Sequence, residues 1–391
     1  MRNNSLIDIN QVPKELKLIL NLITDKTIGE KDVEEIDWNL FIKQAMHHRL
    51  FPLLYIKLSE SEVNRVPSNV VGFLESQYKE NTYEMLRLSA EMDFVNKLCI
   101  DHHIPLLFLK GPVLAADLYG DLSLRTSCDL DILIPIKDLE KLEKKLLENG
   151  YQKQDYILSV LGDWKWRHHH ITFIHSDRKI KLEVHWRLNP GPSLEPSFDE
   201  LWGRKRVSNI LNKPIYYLGR EDLFLFLVSH GSRHGWSRLR WLTDIDQLLH
   251  QNIDWVSLFE ELRKYQLLQI GGQAIILSSE LLNTPITKDM KGLINSEKPK
   301  KLAQQAVFYL TQMISLHSEE PLPLEVSEYH KHHLFSLMSI KQKVLFLTSF
   351  VHPYYTDFET LPLPKIFHFL YFPLRPFLCL WRKAKAKNHA M

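Results

Sequence analysis

Residues 109–135, LKGPVLAADLYGDLSLRTSCDLDILIP, contain the pattern that decides the fold of this 391-residue chain. An apolar run ends at Gly111, Pro112 opens a short helical pattern, and a second apolar run carries Asp129 and Asp131. Each apolar run predicts a buried strand, and proline is favoured at the first position of a helix. The order strand, glycine turn, helix, strand predicts an α/β unit.

The two aspartates are one residue apart, and side chains alternate between the two faces of a strand. Asp129 and Asp131 are therefore predicted to share one face, about 7 Å apart, while Leu130 and Ile132 face the core. A divalent cation that prefers oxygen ligands, such as Mg²⁺, would remove the repulsion between the carboxylates. A D-x-D pair also occurs on solvated strands, so the prediction depends on its neighbours.

Two neighbouring features favour chemistry at this pair. The turn at Gly111 leads into a helix N-terminus, which is an arrangement that binds phosphate. Downstream, Glu183 lies in KLEVHW between Leu182 and Val184, and a charged residue among apolar neighbours needs a partner. Three carboxylates on one face of a small sheet, beside a phosphate-binding turn, predict a two-metal phosphoryl-transfer site.

The remaining periodicity predicts three regions. Residues 1–104 are predicted to be helical, residues 105–217 to form the small α/β domain, and residues 218–391 to be helical with an aromatic and basic tail. Within the α/β domain, HHITFIH and KIKLEVHWRL alternate with period two around the polar SDRK, which predicts a hairpin.

Composition excludes several classes of protein. The formal net charge of +2 provides no general attraction to a long nucleic acid. Three scattered cysteines make neither a metal-binding spacing nor a disulfide framework. The N-terminus lacks a signal-peptide pattern, and no apolar run reaches the roughly 20 residues of a membrane span. We therefore expect a cytoplasmic protein.

The K-G pair at Lys110, the R-x-x-x-D-x-D run from Arg125 and the E-x-H-W run at Glu183 together resemble a bacterial family of uncharacterised nucleotidyltransferases. This family lies within the polymerase-β-like superfamily, and its members occur beside polysaccharide and modified-peptide biosynthesis genes. The resemblance covers residues 37–285 and includes SHGSRHGWSRLRWLTDIDQLL at residues 229–249. It implies a mixed α+β fold, in which a nucleotidyltransferase-type α/β domain with a mixed sheet has helical regions on both sides.

The implied activity is Mg²⁺-dependent transfer of a nucleotidyl group from a nucleoside triphosphate to a hydroxyl or phosphate of a small-molecule, sugar or peptide acceptor. Carried over to this chain, Gly111 matches the family's turn glycine. Asp129 and Asp131 match its metal pair, and Glu183 matches its third carboxylate. Two Mg²⁺ ions are therefore expected, and Glu183 would also help deprotonate the acceptor.

One departure from the superfamily keeps a second interpretation open. A serine usually follows the turn glycine, and its hydroxyl and N–H meet the nucleotide phosphates. Pro112 supplies neither group, although Lys110 would compensate as a phosphate-binding cation. The alternative is a nucleotide-binding module that has lost the transfer activity.

Further residues are predicted to bind the nucleotide or its phosphates: Arg125, His185, His230, His234 and Arg240. His230 and His234 are four residues apart and so share a helical face. In the resembled family Trp241 and Asp244 belong to the same motif. We expect Trp241 in the core and Asp244 to orient one of the arginines at positions 233, 238 and 240.

We interpret the histidines in WRHHHITFIH as polar lining of a phosphate or acceptor pocket. A third interpretation, a zinc-dependent hydrolase, requires these histidines to converge with a further ligand, such as Glu183 or His185 across the hairpin. If that run is a strand, His168 and His170 share one face and His169 lies on the other.

The tail KIFHFLYFPLRPFLCLWRKAKAK is aromatic and ends with basic residues. One interpretation is peripheral contact with an anionic membrane, with the aromatic side chains in the interface. The other is a final helix that docks on the protein and is followed by a basic end.

Overall fold

The computed structural model describes residues 5–60, 65–154, 160–162, 164–211, 213–316 and 321–388. The strands are β1 (Leu107–Phe108), β2 (Leu130–Leu133), β3 (Tyr151–Lys153), β4 (His170–His175), β5 (Ile180–His185), β6 (Arg206–Ser208) and β7 (Ile215–Tyr217). Within the described residues they form one mixed sheet in the order β3-β4-β5-β2-β1-β7-β6. Together with the helices on both sides of this sheet in the chain, this confirms the predicted α+β fold class.

Helices precede, interrupt and follow the sheet. The first region contains α1 (Lys14–Ile23), α2 (Glu30–Val33), α3 (Trp38–His47), α4 (Phe51–Glu60) and α5 (Ser68–Asp101). The sheet region contains α6 (Pro112–Tyr119), α7 (Leu139–Glu148), α8 (Trp164–Arg167) and α9 (Phe198–Gly203). The last region contains α10 (Arg220–Arg233), α11 (Arg240–Leu249), α12 (Trp255–Lys264), α13 (Leu268–Leu282), α14 (Lys291–Ile294), α15 (Glu297–Thr311), α16 (Leu324–Leu337), α17 (Ile340–Ser349), α18 (Tyr355–Thr360) and α19 (Tyr371–Asn388). Among the described residues, no helix has both the length and the hydropathy needed to cross a membrane.

Strand β2 lies inside the sheet and sets the position of the candidate site. It pairs antiparallel with β1 and parallel with β5. Strands β4 and β5 form the predicted hairpin. Leu130 and Ile132 are buried in the core on one side of β2, so the alternation of the strand directs Asp131 to the opposite face.

Two hydrophobic cores hold these elements together. The first packs the sheet against α7 and the second half of α5, whose apolar residues Met85, Leu88, Met92, Val95 and Cys99 are buried there. The second joins the N-terminal and C-terminal helices in a single cluster, which includes Leu16, Phe224 and Ile276. The domain boundaries at residues 104 and 217 remain predictions.

A buried ion pair links the sheet region to α11. Nε and Nη2 of Arg125 lie 2.9 and 3.0 Å from the two carboxylate oxygens of Asp244, and neither side chain is exposed to solvent. The hydroxyl of Tyr119 donates to the same carboxylate at 2.9 Å. The pair fixes the chain six residues before Asp131.

Removing the charge of Asp244 should strongly destabilise the fold. Asp244→Asn leaves Arg125 buried without a counter-charge, which typically costs about 3–5 kcal/mol of the free energy of unfolding. Chemical denaturation measures this change. The control is Glu75→Gln, which breaks the exposed pair between Glu75 and Lys79 and should leave the free energy of unfolding nearly unchanged.

The apolar double variant Arg125→Met with Asp244→Leu should recover much of the lost stability, because it leaves no unpaired charge. An Asp244→Asn variant as stable as the control would contradict the importance of this pair.

Candidate active site

The turn after β1 is built around Gly111. Its backbone φ of +85° is one that residues with a side chain rarely adopt. A Cβ added here would lie 3.2 Å from Cδ2 of Leu130, so β2 leaves little room for one. Pro112 follows as the first residue of α6. The N-terminus of α6 therefore begins beside the start of β2.

Asp131 and Glu183 are neighbours in the sheet, because the parallel pairing of β2 with β5 sets their Cα atoms opposite each other. Nε2 of His185 lies 3.3 Å from Oδ1 of Asp131 and 3.5 Å from Oε2 of Glu183. One ligand atom from each of the three residues lies within 4.8 Å of the other two. Three polar side chains thus converge on one face of the sheet.

Two lysines lie against the carboxylates. Nζ of Lys110 is 3.5 Å from Oδ1 of Asp131. Nζ of Lys181 is 2.5 Å from Oε1 of Glu183 and 3.8 Å from Oδ2 of Asp129. Asp129 precedes the first residue of β2, and it is not one of the three residues whose ligand atoms converge. It contacts the site through Lys181.

The environment separates the acidities of the three carboxylates. Burial, aided by the charge of Asp131, raises the pKa of Asp129 to about 6. Burial acts on Asp131 in the same direction, but Lys110 and His185 outweigh it and hold the pKa of Asp131 below its ordinary value. The pKa of Glu183 is also lowered, because hydrogen bonds from His185 and Lys181 and the charge of His185 outweigh burial. All three are ionised at neutral pH, and Asp129 is the most easily protonated.

Three histidines meet beside these carboxylates. The ring centroid of His185 lies 5.4 Å from that of His169 and 4.9 Å from that of His170. Nδ1 of His170 is 3.1 Å from Nε2 of His169. The prediction that His169 faces away from His170 is wrong, because β4 begins only at His170 and strand alternation does not reach His169. His168 is exposed.

The three imidazoles differ in charge. Burial lowers the pKa of His170 to about 4, and it lowers the pKa of His169 still further. Burial also acts against charge on His185, but Asp131 and Glu183 outweigh it and raise the pKa of that ring. His169 and His170 are therefore neutral, which is the form that binds a metal ion.

The two arginines that are predicted to bind phosphate have partners within the protein. Arg125 is fully buried, and its Nε and Nη2 donate hydrogen bonds to Asp244, which gives it a structural role. Phosphate binding by Arg125 remains a prediction. Arg240 donates from Nη1 to the carbonyl oxygen and the hydroxyl of Thr126, and its phosphate-binding role remains a prediction. Asp244 does orient an arginine, but that arginine is Arg125.

The pair His230 and His234 lies at the end of α10. Their ring centroids are 4.6 Å apart, and both pack near the buried Trp241 at 5.3 and 5.4 Å. Phe226, one turn before His230, lies under Lys110, with 5.3 Å between Nζ and the ring centroid. Helix α10 therefore flanks Lys110, and phosphate binding by the two histidines remains a prediction.

The carboxylate donors fit a hard divalent cation. Oδ2 of Asp131 is buried and has no hydrogen-bond partner among the described residues, and such an oxygen is costly unless something pairs with it. Oxygen ligands from Asp131 and Glu183 are the type that Mg²⁺ prefers. The imidazole trio of His169, His170 and His185 supplies nitrogen donors, which suit zinc instead.

Sequence reasoning assigned no role in the site to Lys181, and it considered His169 and His170 only as zinc ligands or as lining of a pocket. The period-two alternation from Glu183 could have added Lys181, because residues 181 and 183 share a strand face. No linear pattern identifies His169, whose position depends on the chain before β4.

A family model described as "Uncharacterised nucleotidyltransferase" matches residues 34–283, well over half of the chain. The matched span includes the turn at Gly111 and all three carboxylates, and it agrees with the resemblance predicted for residues 37–285. No curated protein matches the chain.

Proposed function

The chain belongs to this family of uncharacterised nucleotidyltransferases, and on that premise we propose that it transfers a nucleotidyl group from a nucleoside triphosphate to a small acceptor. In this reaction a hydroxyl or phosphate oxygen of the acceptor bonds to the α-phosphorus. The bond to the departing phosphate oxygen breaks, and pyrophosphate leaves. The proton of an acceptor hydroxyl passes to water or to a carboxylate of the site.

The juxtaposition of Asp131 with Glu183 is the observation that carries the proposal. Together with Asp129 they would hold two Mg²⁺ ions, and the unpartnered Oδ2 of Asp131 supports that assignment. Bound Mg²⁺ would neutralise charge on the transferring phosphate group and activate the acceptor oxygen. The lowered pKa of Glu183 suits a residue that holds a cation better than one that accepts a proton.

Lys110, Gly111 and the N-terminus of α6 would bind the phosphates. Lys110 lies beside Asp131, so one ammonium group is close both to the carboxylates and to the turn. The N–H groups at the start of a helix attract an anion, although Pro112 removes one of them. His185 stays between the carboxylates and keeps their positions fixed.

The acceptor is proposed to be a small molecule, a sugar or a peptide. The near-neutral net charge offers no field for a long nucleic acid. The chain's own contribution to rate would be positioning and charge stabilisation rather than a covalent intermediate.

Pro112 favours the first alternative, a module that binds nucleotides without transferring them. It replaces the residue that would give a hydroxyl and an N–H to the phosphates. Incubation with each labelled nucleoside triphosphate and Mg²⁺, with and without cell extract, separates the two functions. Binding without pyrophosphate release under any condition would favour the module.

The trio His169, His170 and His185 favours the second alternative, a zinc-dependent hydrolase, since one nitrogen of each lies within 4.8 Å of the others. His185 also contacts Asp131 and Glu183, so a zinc ion held by the three histidines would compete with the two carboxylates for the His185 ring. Metal analysis of the purified protein distinguishes them, and one equivalent of zinc would favour the hydrolase.

We further propose a cytoplasmic protein that contacts membranes peripherally through its tail. Arg375 and Arg382 bind Asp357 at 2.6 and 2.8 Å, which anchors α19 on α18. Phe377 and Trp381 of the anchored helix nevertheless expose 69% and 61% of their surface. Exposed aromatic side chains on a helix with a basic end suit an anionic membrane surface.

The aspartate pair should be required for Mg²⁺-dependent nucleotide binding. Asp129→Asn together with Asp131→Asn should abolish the thermal stabilisation that nucleotide and Mg²⁺ produce together, because two metal ligands lose their charge. The control Asp177→Asn changes an exposed carboxylate in the turn between β4 and β5 and should keep the full shift. A wild-type shift in the double variant would refute the metal assignment.

Glu183→Gln should separate binding from chemistry. Nucleotide affinity should be largely retained, because the aspartates still hold the nucleotide-bound cation. Pyrophosphate release should fall by about a hundredfold or more, as for loss of one charge-stabilising group. The matched control is Glu143→Gln, which also removes a glutamate paired with a lysine, Lys153, at 2.9 Å. Unchanged turnover in Glu183→Gln would eliminate its proposed role.

The tail should bind vesicles that contain an anionic lipid such as phosphatidylglycerol, and high salt should release it because lysine charges are screened. Replacing Phe377 and Trp381 by serine should reduce co-sedimentation without disturbing the anchoring ion pairs. Val256→Ser, which changes an equally exposed apolar residue on α12, should have no effect. Equal binding to phosphatidylcholine vesicles, or none to either kind, would reject membrane contact.

A further inference from the structure

A cavity of about 270 Å³ lies apart from the carboxylates. Its walls come from α10, α16, α17, the start of α13 and residues 189–194, which follow β5. Most of its lining is apolar, with Leu267, Ile270, Leu334, Leu337, Met338 and Phe346. It is nearly twice as large as a roughly 150 Å³ cavity that accommodates benzene.

Arg233 places a guanidinium group in this apolar lining. Its Nε donates to the carbonyl oxygen of Ser229 at 3.3 Å. Its two terminal nitrogens make no hydrogen bond or ion pair with any described residue. The carboxylate whose charge reaches it, Glu195, is already bonded to Arg187 at 3.1 Å and to two backbone N–H groups.

The unpaired guanidinium remains charged. Burial lowers the pKa of Arg233 to about 10, so the side chain keeps its proton at neutral pH. Arg233 is only partly exposed to solvent, and a partly buried cation without a counter-charge is destabilising. A ligand with a negative charge would supply the missing partner.

Two more polar groups of the lining lack partners. Oγ of Ser229 and Oδ1 of Asn189 are buried, and neither has a hydrogen-bond partner among the described residues. Both residues line the cavity together with Arg233. A few polar groups that converge in an apolar cavity are typical of a small-molecule site.

We propose that this cavity binds an amphipathic anion. A carboxylate or phosphate group would pair with Arg233 and accept a hydrogen bond from Ser229, and a polar hydrogen of the ligand would donate to Asn189. The apolar body would lie against α16 and α17. By comparison with the cavity that holds benzene, a body of roughly eight to ten carbons fits.

The position of the cavity suggests that this anion is the acceptor, an assignment that rests on the proposed function. Residue 189, which lines the cavity, follows His185 at the end of β5 by only four residues. Helices α16 and α17 lie beyond residue 283, where the family match ends. Acceptor selection would therefore depend on a part of the chain outside that match.

Three probes of equal chain length test the site: octanoate, octyl phosphate and octylammonium. Calorimetry and thermal denaturation of the full chain should show that at least one anion binds and stabilises, whereas octylammonium does not. Binding of octanoate alone identifies a carboxylate ligand, and binding of octyl phosphate alone identifies a phosphomonoester. Failure of both anions, or equal stabilisation by octylammonium, overturns the proposal.

Arg233→Met should weaken anion binding by roughly tenfold to a hundredfold, as expected for the loss of a hydrogen bond to a charged group. Without a probe, its melting temperature should equal or exceed that of the wild type, because a partly buried charge without a counter-charge is removed. Arg233→Lys should retain part of the affinity. Arg263→Met, at an exposed position on α12, should leave anion binding unchanged.

Ser229→Val is an independent variant, since it fills space and removes the hydroxyl while Arg233 stays. It should also lose anion binding, and wild-type affinity in either Arg233→Met or Ser229→Val contradicts the assignment. Nucleotide binding is measured separately. Anion binding without nucleotide binding would support the proposed site in the cavity and contradict only the proposed nucleotidyltransferase function.

Discussion

The buried ion pair between Arg125 and Asp244 is the interaction on which the candidate active site depends. Two charges removed from water stabilise a fold only if each satisfies the other with good geometry. The two short contacts between them, and the additional hydrogen bond from Tyr119, meet that condition. Residue 125 begins the extended segment that leads to Asp131. Helix α11, which is not adjacent to the carboxylates in sequence, therefore sets where they lie.

Much of the sheet could be predicted from the sequence because its signals are local. Alternation with period two directed Leu130 and Leu182 to the core and therefore Asp131 and Glu183 to the other face. Gly111 and Pro112 marked the end of a strand and the start of a helix. These predictions depend only on the geometry of a short piece of backbone.

Other features could not be predicted, because they depend on contacts between distant parts of the chain. The prediction from strand alternation was wrong for His169, because β4 begins only at His170. Arg125 carries the same charge whether it meets a phosphate or a buried carboxylate, and only the fold brings Asp244 to it across 119 positions. The hydrophobic cluster shared by the N-terminal and C-terminal helices also could not be predicted. Hydrophobic periodicity shows that one face of a helix is apolar, but it does not show which element packs against that face.

The charge balance of the site connects this architecture to the proposed chemistry. Lys110 and Lys181 lie against the same carboxylates that would hold Mg²⁺, so a divalent cation would compete with these ammonium groups. A lysine displaced from a carboxylate would be able to bind a phosphate. Binding of a nucleotide with its cation would therefore replace lysine–carboxylate pairs by cation–carboxylate and lysine–phosphate pairs. The site would then have no unpaired charge either before or after nucleotide binding. The same requirement explains why the buried Arg125 is paired with Asp244. Arg233 differs from these cations, because the carboxylate whose charge reaches it, Glu195, is already bonded to Arg187, and for this reason we propose that its partner is a ligand.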